Sequence, residues 1–286
     1  MNLQIITDSA CDLPDEVIKQ YQIETAPFII NLRGQEFLDG VTIKPPELVD
    51  KIEKGEIPST TQIPAEHFYR IFEKYASQGI HCLYIGFSSK MSGTFQTASM
   101  VAKDLEDKYQ NIKIHTIDSL SGSMAQGLIV KEIARHVESG ASIDFVLDKI
   151  QNLKARIEHI FTINDLKFLY RGGRIKLSSA WLGSLLNIKP ILKVNHGEII
   201  PFEKQRGTKK VLRRMVHMFM DAKTDLTSVI IGITHAGDPE KADKIKKMIQ
   251  EETDVKNENF MINHIGCVLC AHLGIGGVGI FFFQDS

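Results

Sequence analysis

The sequence predicts an α/β protein of two domains: an N-terminal, mainly parallel sheet with flanking helices and a C-terminal α+β domain, with a ligand cleft between them. Three observations carry that expectation. The first half alternates short apolar runs with amphipathic segments, the pattern of a parallel sheet covered on both faces. Three of those runs end in small polar residues, Thr7-Asp8-Ser9, Phe87-Ser88-Ser89 and Ile117-Asp118-Ser119. The chain of 286 residues exceeds the usual single-domain length, and its patterning changes near residue 155, dividing it into 1–155 and 156–286.

Along the first half, Leu3 to Thr7 is a strand, after which Asp12 is expected to cap a helix with Pro14 in its first turn and Asp15 and Glu16 near its positive end. Ile23 to Leu32 reads as one extended run. Pro45, Pro46 and Glu47 open a helix through Lys54. A second helix covers Ala65 to Ser77, with Phe68, Ile71, Phe72 and Tyr75 on one face. His81 to Phe87 is a strand, followed by the loop Ser88-Ser89-Lys90-Met91-Ser92-Gly93-Thr94 and a helix to about Lys108. Lys113 to Asp118 is a strand, and Gln126 to Glu138 a helix.

After a helix from Ser142 to Lys154, the second half opens with a strand from His159 to Asn164. A further extended run, Leu185 to Val194, turns at Asn195-His196-Gly197 into Glu198-Ile199-Ile200-Pro201-Phe202 as a hairpin. Thr208 to Lys223 is a basic amphipathic helix, Ser228 to Thr234 a strand, and Asp238 to Glu252 a helix opened by Asp238-Pro239. Strands around Phe260 to Ile265 and Gly277 to Phe283 close the chain.

Composition excludes several function classes. Net charge is −1, with 34 Lys and Arg against 35 Asp and Glu, so no global field draws the chain to nucleic acid or anionic lipid. Nowhere do about eighteen apolar residues run together, as a spanning helix requires. The N-terminus lacks the basic-then-apolar pattern of a secretion signal. Four cysteines form no disulfide framework, and a reducing cytoplasm is the expected compartment.

Several motifs dissolve on inspection. Gly274-Ile275-Gly276-Gly277-Val278-Gly279 matches a dinucleotide fingerprint in letters only, because the chain ends before the required helix and acidic residue. His264, Cys267, Cys270 and His272 lie close enough to evoke zinc. In an extended segment, however, Cys267 points away from the other three, and small buried cysteines are the simpler reading. The same Cys-x-x-Cys does not read as a redox pair, since no helix is expected to begin there. A nucleophile elbow, a His-Glu-x-x-His zinc helix and a phosphate-binding loop are all missing.

What remains is a set of hydroxyls. In open α/β sheets ligands bind outside the carboxyl ends of the strands, beside helix N-termini. Capping alone explains any single Ser or Asp there; three such strand ends together point to a ligand edge. Ser88 to Thr94 offers four hydroxyl residues and a glycine before a helix, enough to hold a carboxylate or phosphate. Pro58-Ser59-Thr60-Thr61-Gln62-Ile63-Pro64 offers a second cluster. The expectation is a small anionic ligand held around Ser92. The rival is a serine esterase or phosphatase acting through Ser92 and His272.

Taken together, the segments resemble the DegV family, the fatty-acid-binding partners of bacterial fatty acid kinase. The resemblance rests on Thr7-Asp8-Ser9 with Asp12-Leu13-Pro14, Ser59-Thr60-Thr61-Gln62, Ser88-Ser89 leading into Ser92-Gly93-Thr94-Phe95-Gln96, and Asp118-Ser119. It continues through Gly172-Gly173-Arg174-Ile175, Ile188-Lys189-Pro190-Ile191-Leu192 and His272-Leu273-Gly274 followed by Gly276-Gly277, in the family's order over nearly the whole chain. Two positions depart from it: Ile63 before Pro64 in the first loop, and Ile275 where many members have proline. The resemblance implies an acyl chain buried between the domains and a carboxylate held by Ser92 and a Thr60 or Thr61 hydroxyl. The Gly93 amide, His272 and Arg171 would lie nearby. It further implies a kinase-docking surface with Arg174 and Arg206, a non-catalytic carrier role in phospholipid synthesis, no cofactor, no metal, and at most transient membrane contact.

Overall fold

The computed structural model describes residues 2–176, 181, 188–222 and 224–285. Residues 185–187 of the expected run to Val194, and Lys223 at the expected helix end, lie outside the described residues. The chain is a mixed α/β protein with a parallel sheet in its first half and a separate mixed sheet in its second.

The parallel sheet contains β1 (Leu3–Asp8), β2 (Glu24–Ala26), β6 (His81–Gly86) and β7 (Ile114–Asp118), in the order β2-β1-β6-β7. Alternation along the strands sends side chains to two layers. Ile6, Cys82 and Tyr84 pack against α3 (Ala65–Ala76) and α4 (Thr94–Lys108). Ile5, Leu83 and Ile85 pack against α5 (Ser123–Glu138) and α6 (Ile143–Arg156). The sheet therefore sits between two helical layers, as its near-continuous apolar strands require.

Three expectations change here. The run Ile23 to Leu32 divides between two sheets. Pro27 has no amide hydrogen for a ladder, and the next amide, Phe28 N–H, donates to Ser9 Oγ at 3.1 Å. Beyond this break β3 (Ile29–Leu32) joins β4 (Gln35–Leu38) and β5 (Ser59–Thr61) in a small antiparallel sheet, ordered β4-β3-β5. Asp12 does not cap α1 (Asp15–Gln20); Pro14 holds that position, and Asp12 takes a left-handed backbone with φ 50°. Its carboxyl instead meets donors from distant segments. Finally, α5 begins at Ser123, ahead of the expected Gln126.

The second sheet has six strands in the order β10-β9-β8-β13-β11-β12: β8 (Ile157–Thr162), β9 (Ile188–Asn195), β10 (Glu198–Arg206), β11 (Ile231–His235), β12 (Phe260–His264) and β13 (Val278–Phe283). The expected hairpin is β9–β10, whose turn residues His196 and Gly197 have φ 46° and 84°, the left-handed pair of a two-residue turn matched to strand twist. Ile160, Ile231, Ile233, Ile280 and Phe282 face α8 (Thr208–Met220) and α9 (Pro239–Glu252). His159, Phe161, Thr234, Gly279 and Phe281 border a cavity on the opposite side.

The described residues of this half also include two short helices that reach the first half or border the site, α7 (Lys167–Arg171) and α10 (Cys267–Leu273). The second overturns the extended reading of 264–272. It packs on β3, β5 and α2 (Pro45–Glu53), all from the first half of the chain. Among the described residues, every sheet strand finds its ladder partners on its own side of residue 156, so contacts such as these join the halves.

Candidate functional site

An apolar cavity with an empty volume of about 490 Å³ lies between the α5 N-terminus and the second sheet, walled by Phe87, Met91, Phe161, Leu269, Leu273 and Phe281 among others. A second compartment of about 440 Å³ shares Phe87, Met91, Ile199, Leu269 and Leu273 with it. The two compartments therefore adjoin along these shared walls. The second compartment adds Thr60, Thr61, Ser92, Arg174 and His272, so polar groups gather at one end of an otherwise apolar space.

At the polar end, β5 carries Thr60 and Thr61. Pairing with β3 sets their register opposite Ile30 and Ile29. The Thr60 hydroxyl lies 2.8 Å from His272 Nε2 on α10. Burial, reinforced by the nearby Arg174 guanidinium, pushes the His272 pKa down to about 4, so its imidazole is neutral near pH 7. A neutral ring with its proton on Nε2 donates to Thr60 Oγ1 and leaves the Thr60 proton free for an anion. The backbone of Gly172 closes against the other side of the ring: a Cβ there would sit 2.5 Å from His272 Nδ1.

The Ser92 hydroxyl is organised similarly. Thr94 N–H donates to Ser92 Oγ at 3.2 Å, and Thr94 Oγ1 lies 2.9 Å from it. Ile63 N–H donates to Thr94 Oγ1 at 3.2 Å, so the Ser92 loop and the Thr60 segment are tied together. With Thr94 donating, the Ser92 proton also points outward. The Thr61 hydroxyl makes no hydrogen bond among the described residues. Ser92 and His272 are not hydrogen-bonded to each other, and each is committed to a threonine. The nucleophile–base couple of an esterase is not assembled here.

The other expected residues divide. Gly93 is exposed, outside the compartment lining, with its backbone against the Gln62 side chain. Arg171 is exposed, its guanidinium 5.3 Å from the Phe168 ring centroid, and does not line the compartment. Arg174 does line it; its Nε donates to the Met91 carbonyl at 3.1 Å and its Nη1 to the Gly172 carbonyl. Arg206 is exposed at the end of β10.

Sequence reasoning missed the carboxylates that hold this site together. Asp39, 3 % exposed, accepts from Cys267 N–H at 2.9 Å and Val268 N–H at 3.0 Å, the first turn of α10. Asp12 accepts from Gly266 N–H at 2.8 Å and from the Ser123 hydroxyl at 2.5 Å. The helix that presents His272 is thus fixed at its N-terminus by acids from the other half of the chain. A short helix after an Asn-His-Ile-Gly break was the only local signal, since acids that cap from a distance leave none. Asp8 is likewise buried and accepts from Tyr84, Phe87, Gln126 and Ala10, making it a structural hub.

The strand-end hydroxyls are largely spent on the fold. Ser88 Oγ donates to Gly197 O at 2.8 Å, and Asp118 accepts from Ser89 and Leu120 amides. The cysteine reading needs its reason corrected. Cys267 does begin a helix after a strand, but burial raises both thiols, Cys270 to about 12, so neither is an activated thiolate. Among the described residues no group of three or more His, Cys, Asp or Glu side chains is placed to hold a metal ion. No described helix is long and apolar enough to cross a membrane.

Comparison with known proteins gives a consistent picture. The model of uncharacterised proteins of the DegV family matches residues 2–285. A DegV domain-containing protein from Clostridium perfringens is 35% identical over 285 residues, covering 99% of this chain and 97% of the relative. The fold superposes on a DegV family protein from Thermus thermophilus, described for its fatty acid binding, with TM-score 0.89, 27% identity and complete coverage of both chains. It superposes on DegV from Bacillus subtilis, described as a fatty acid binding protein, with TM-score 0.86, 28% identity and again complete coverage.

Proposed function

The chain belongs to the DegV family, and from that premise we propose that it is a non-catalytic carrier of a long-chain fatty acid. One observation carries the reading: two adjoining compartments with apolar shared walls lead to two hydroxyls, Thr60 and Ser92, each within hydrogen-bond distance of a second polar side chain, His272 and Thr94. The relatives described as fatty acid binding support the same ligand class.

The energetics are consistent. Burying about fourteen methylenes at ~0.8 kcal/mol each yields on the order of 11 kcal/mol of gross driving force. Ordering the chain and restricting the ligand remove part of it. The carboxylate must then be hydrogen-bonded, since a buried unpaired charge costs far more than the bonds return. Thr60 and Ser92 would supply charge-assisted bonds, with Thr61 as a further donor, His272 orienting Thr60, and the Gly93 amide beside them. Arg171, on the same short helix as the lining residue Leu169, would contribute positive potential from outside the compartment.

In this reading residues 1–155 carry the carboxylate loops and residues 156–286 close over the acyl chain. Thr61, Gln62 and Gly93 are exposed beside the polar end, so a second protein could reach the carboxyl group. That protein would be an ATP-dependent fatty acid kinase, docking on a surface that includes Arg206 and, at the mouth, Arg174. The acyl phosphate it forms would feed phospholipid synthesis. The carrier itself would use no cofactor, work in the cytoplasm and touch membranes only transiently.

Native mass spectrometry of protein taken from cells, before and after denaturation, tests the ligand. Release of a long-chain fatty acid is expected; a ligand-free or metal-bound protein overturns the reading. Acyl phosphate should form only when a kinase and ATP are added. Turnover of acyl esters by the isolated protein, abolished by Ser92→Ala, would establish the esterase instead.

A further inference from the structure

Five side chains, Phe87, Met91, Ile199, Leu269 and Leu273, line both the deep cavity and the polar compartment. An acyl chain whose carboxylate is held at Thr60 and Ser92 passes them to enter the deep cavity. Which of the five can give way follows from how each is held.

Four of them are fixed. The Phe87 ring meets Phe28 edge-on with centroids 6.0 Å apart, and the Gly122 backbone closes against it, where a Cβ would sit 2.4 Å from the ring. Ile199 is branched at Cβ, which restricts its rotamers, and its backbone is paired with Val194 and bridged to Ile175. Leu269 and Leu273 stand one turn apart on α10, whose N-terminus is held by Asp12 and Asp39, so neither moves far without the helix.

Met91 differs. Its backbone is pinned: its N–H donates to the Ser88 carbonyl at 3.0 Å, and its carbonyl accepts from Arg174 Nε at 3.1 Å. Its side chain, 8 % exposed, is unbranched, with three rotatable bonds and a thioether that adapts to irregular apolar surroundings. It can change rotamer while the loop that carries Ser92 stays in place. Arg174 also donates to the Gly172 carbonyl, so the backbone at Met91 remains anchored to the polar end whichever way the side chain points.

Resting on the carrier reading above, we propose that the Met91 side chain is the gate between the polar compartment and the deep cavity, and so determines how the protein discriminates acyl chains by length. Long chains bind by swinging it aside. Short chains end before it and bind without moving it.

The test measures association rates of delipidated protein, by stopped flow, with straight-chain saturated acids from octanoate to stearate. Wild type is set against Met91→Ile, which keeps the bulk but is stiff at χ1, and Met91→Ala, which removes the side chain beyond Cβ. Thermal unfolding identifies the variants that fold, and either one decides. Palmitate association should slow on the order of tenfold in Met91→Ile, the cost of forcing a stiff side chain off its rotamer, and quicken several-fold in Met91→Ala. The shortest acid that binds should change by less than about twofold in both. Equal effects at every chain length, or unchanged palmitate association in the folded variants, overturn the gate while leaving the carrier reading intact. Failure of every acid in the series to bind wild type would overturn both.

Discussion

The Thr60 hydroxyl and the His272 imidazole, 212 positions apart in the chain, meet at 2.8 Å at the polar end of the cavity. The contact joins a small N-terminal sheet to a helix from the last part of the chain. It also determines which of two adjacent threonines is oriented: Thr60 is held by the imidazole, and Thr61 is not.

If His272 acts by donating to Thr60, His272→Gln should keep fatty acid affinity within about threefold, because an amide N–H can replace the ring N–H. His272→Ala should lose on the order of tenfold, by leaving the Thr60 proton unoriented. Equal losses in calorimetric titrations of both variants would show that ring packing against Gly172, rather than the hydrogen bond, matters.

Removing the hydroxyl in Ser92→Ala should weaken palmitate binding by roughly ten- to a hundredfold, the usual range for a hydrogen bond to a charged group. Stability should change little, since Ser92 is half-buried and bonded mainly to its neighbour Thr94. Unaltered affinity would remove Ser92 from the site.

Asp39→Ala should destabilise the fold by about 2–4 kcal/mol, because it strands two buried amides at the start of α10. The thiol of Cys267, buried beside Asp39, should become more readily alkylated as the helix end loosens. A denaturation midpoint equal to wild type would contradict this role.

Stability should also depend on pH through Asp12, whose burial pushes its pKa from 3.8 up to about 8. A carboxyl with a raised folded pKa contributes fully below its unfolded value and loses that contribution as pH rises through the folded one. The limiting slope is about 1.4 kcal/mol per pH unit. Buried His159 and His272, with pKa values lowered from 6.5 to about 3 and about 4, act oppositely: stability rises with pH up to about 6.5. The acid therefore dominates between pH 6.5 and 8, where urea unfolding of wild type should show falling stability and Asp12→Asn a flatter profile. Parallel profiles would exclude Asp12 as the source.

Gly279 faces the deep cavity, and a Cβ there would lie 2.6 Å from the Phe281 ring and 3.2 Å from Phe161 Cβ. Gly279→Ala should push Phe281 into the cavity and shift preference toward shorter acyl chains by several-fold. Competition between myristate and stearate reads this directly; an unchanged ratio would place the chain elsewhere.

Much of the architecture was legible locally. Alternating apolar runs identified β1, β6 and β7, and a turn of the Asn-His-Gly kind identified the β9–β10 hairpin, because periodicity and turn chemistry are properties of neighbouring residues. Ser92, Thr60 and Thr61 could be singled out for the same reason: each sits in a short hydroxyl-rich segment before a helix. The α10 helix was misread as extended, since its stability depends on Asp39, 228 positions from Cys267, and not on a cap of its own.

By itself the sequence determined the fold class, the small overall charge of −1 and the hydroxyl segments from which a polar site could be built. Tertiary structure decided that Thr60 pairs with His272, that Arg174 lines the polar compartment while Arg171 stays outside, and that the His159 imidazole is buried with neither nitrogen partnered among the described residues. The reason is physical. Strand and turn formation follow from adjacent side chains, whereas burial, hydrogen-bond partnership and the pKa values they impose exist only once distant segments have packed.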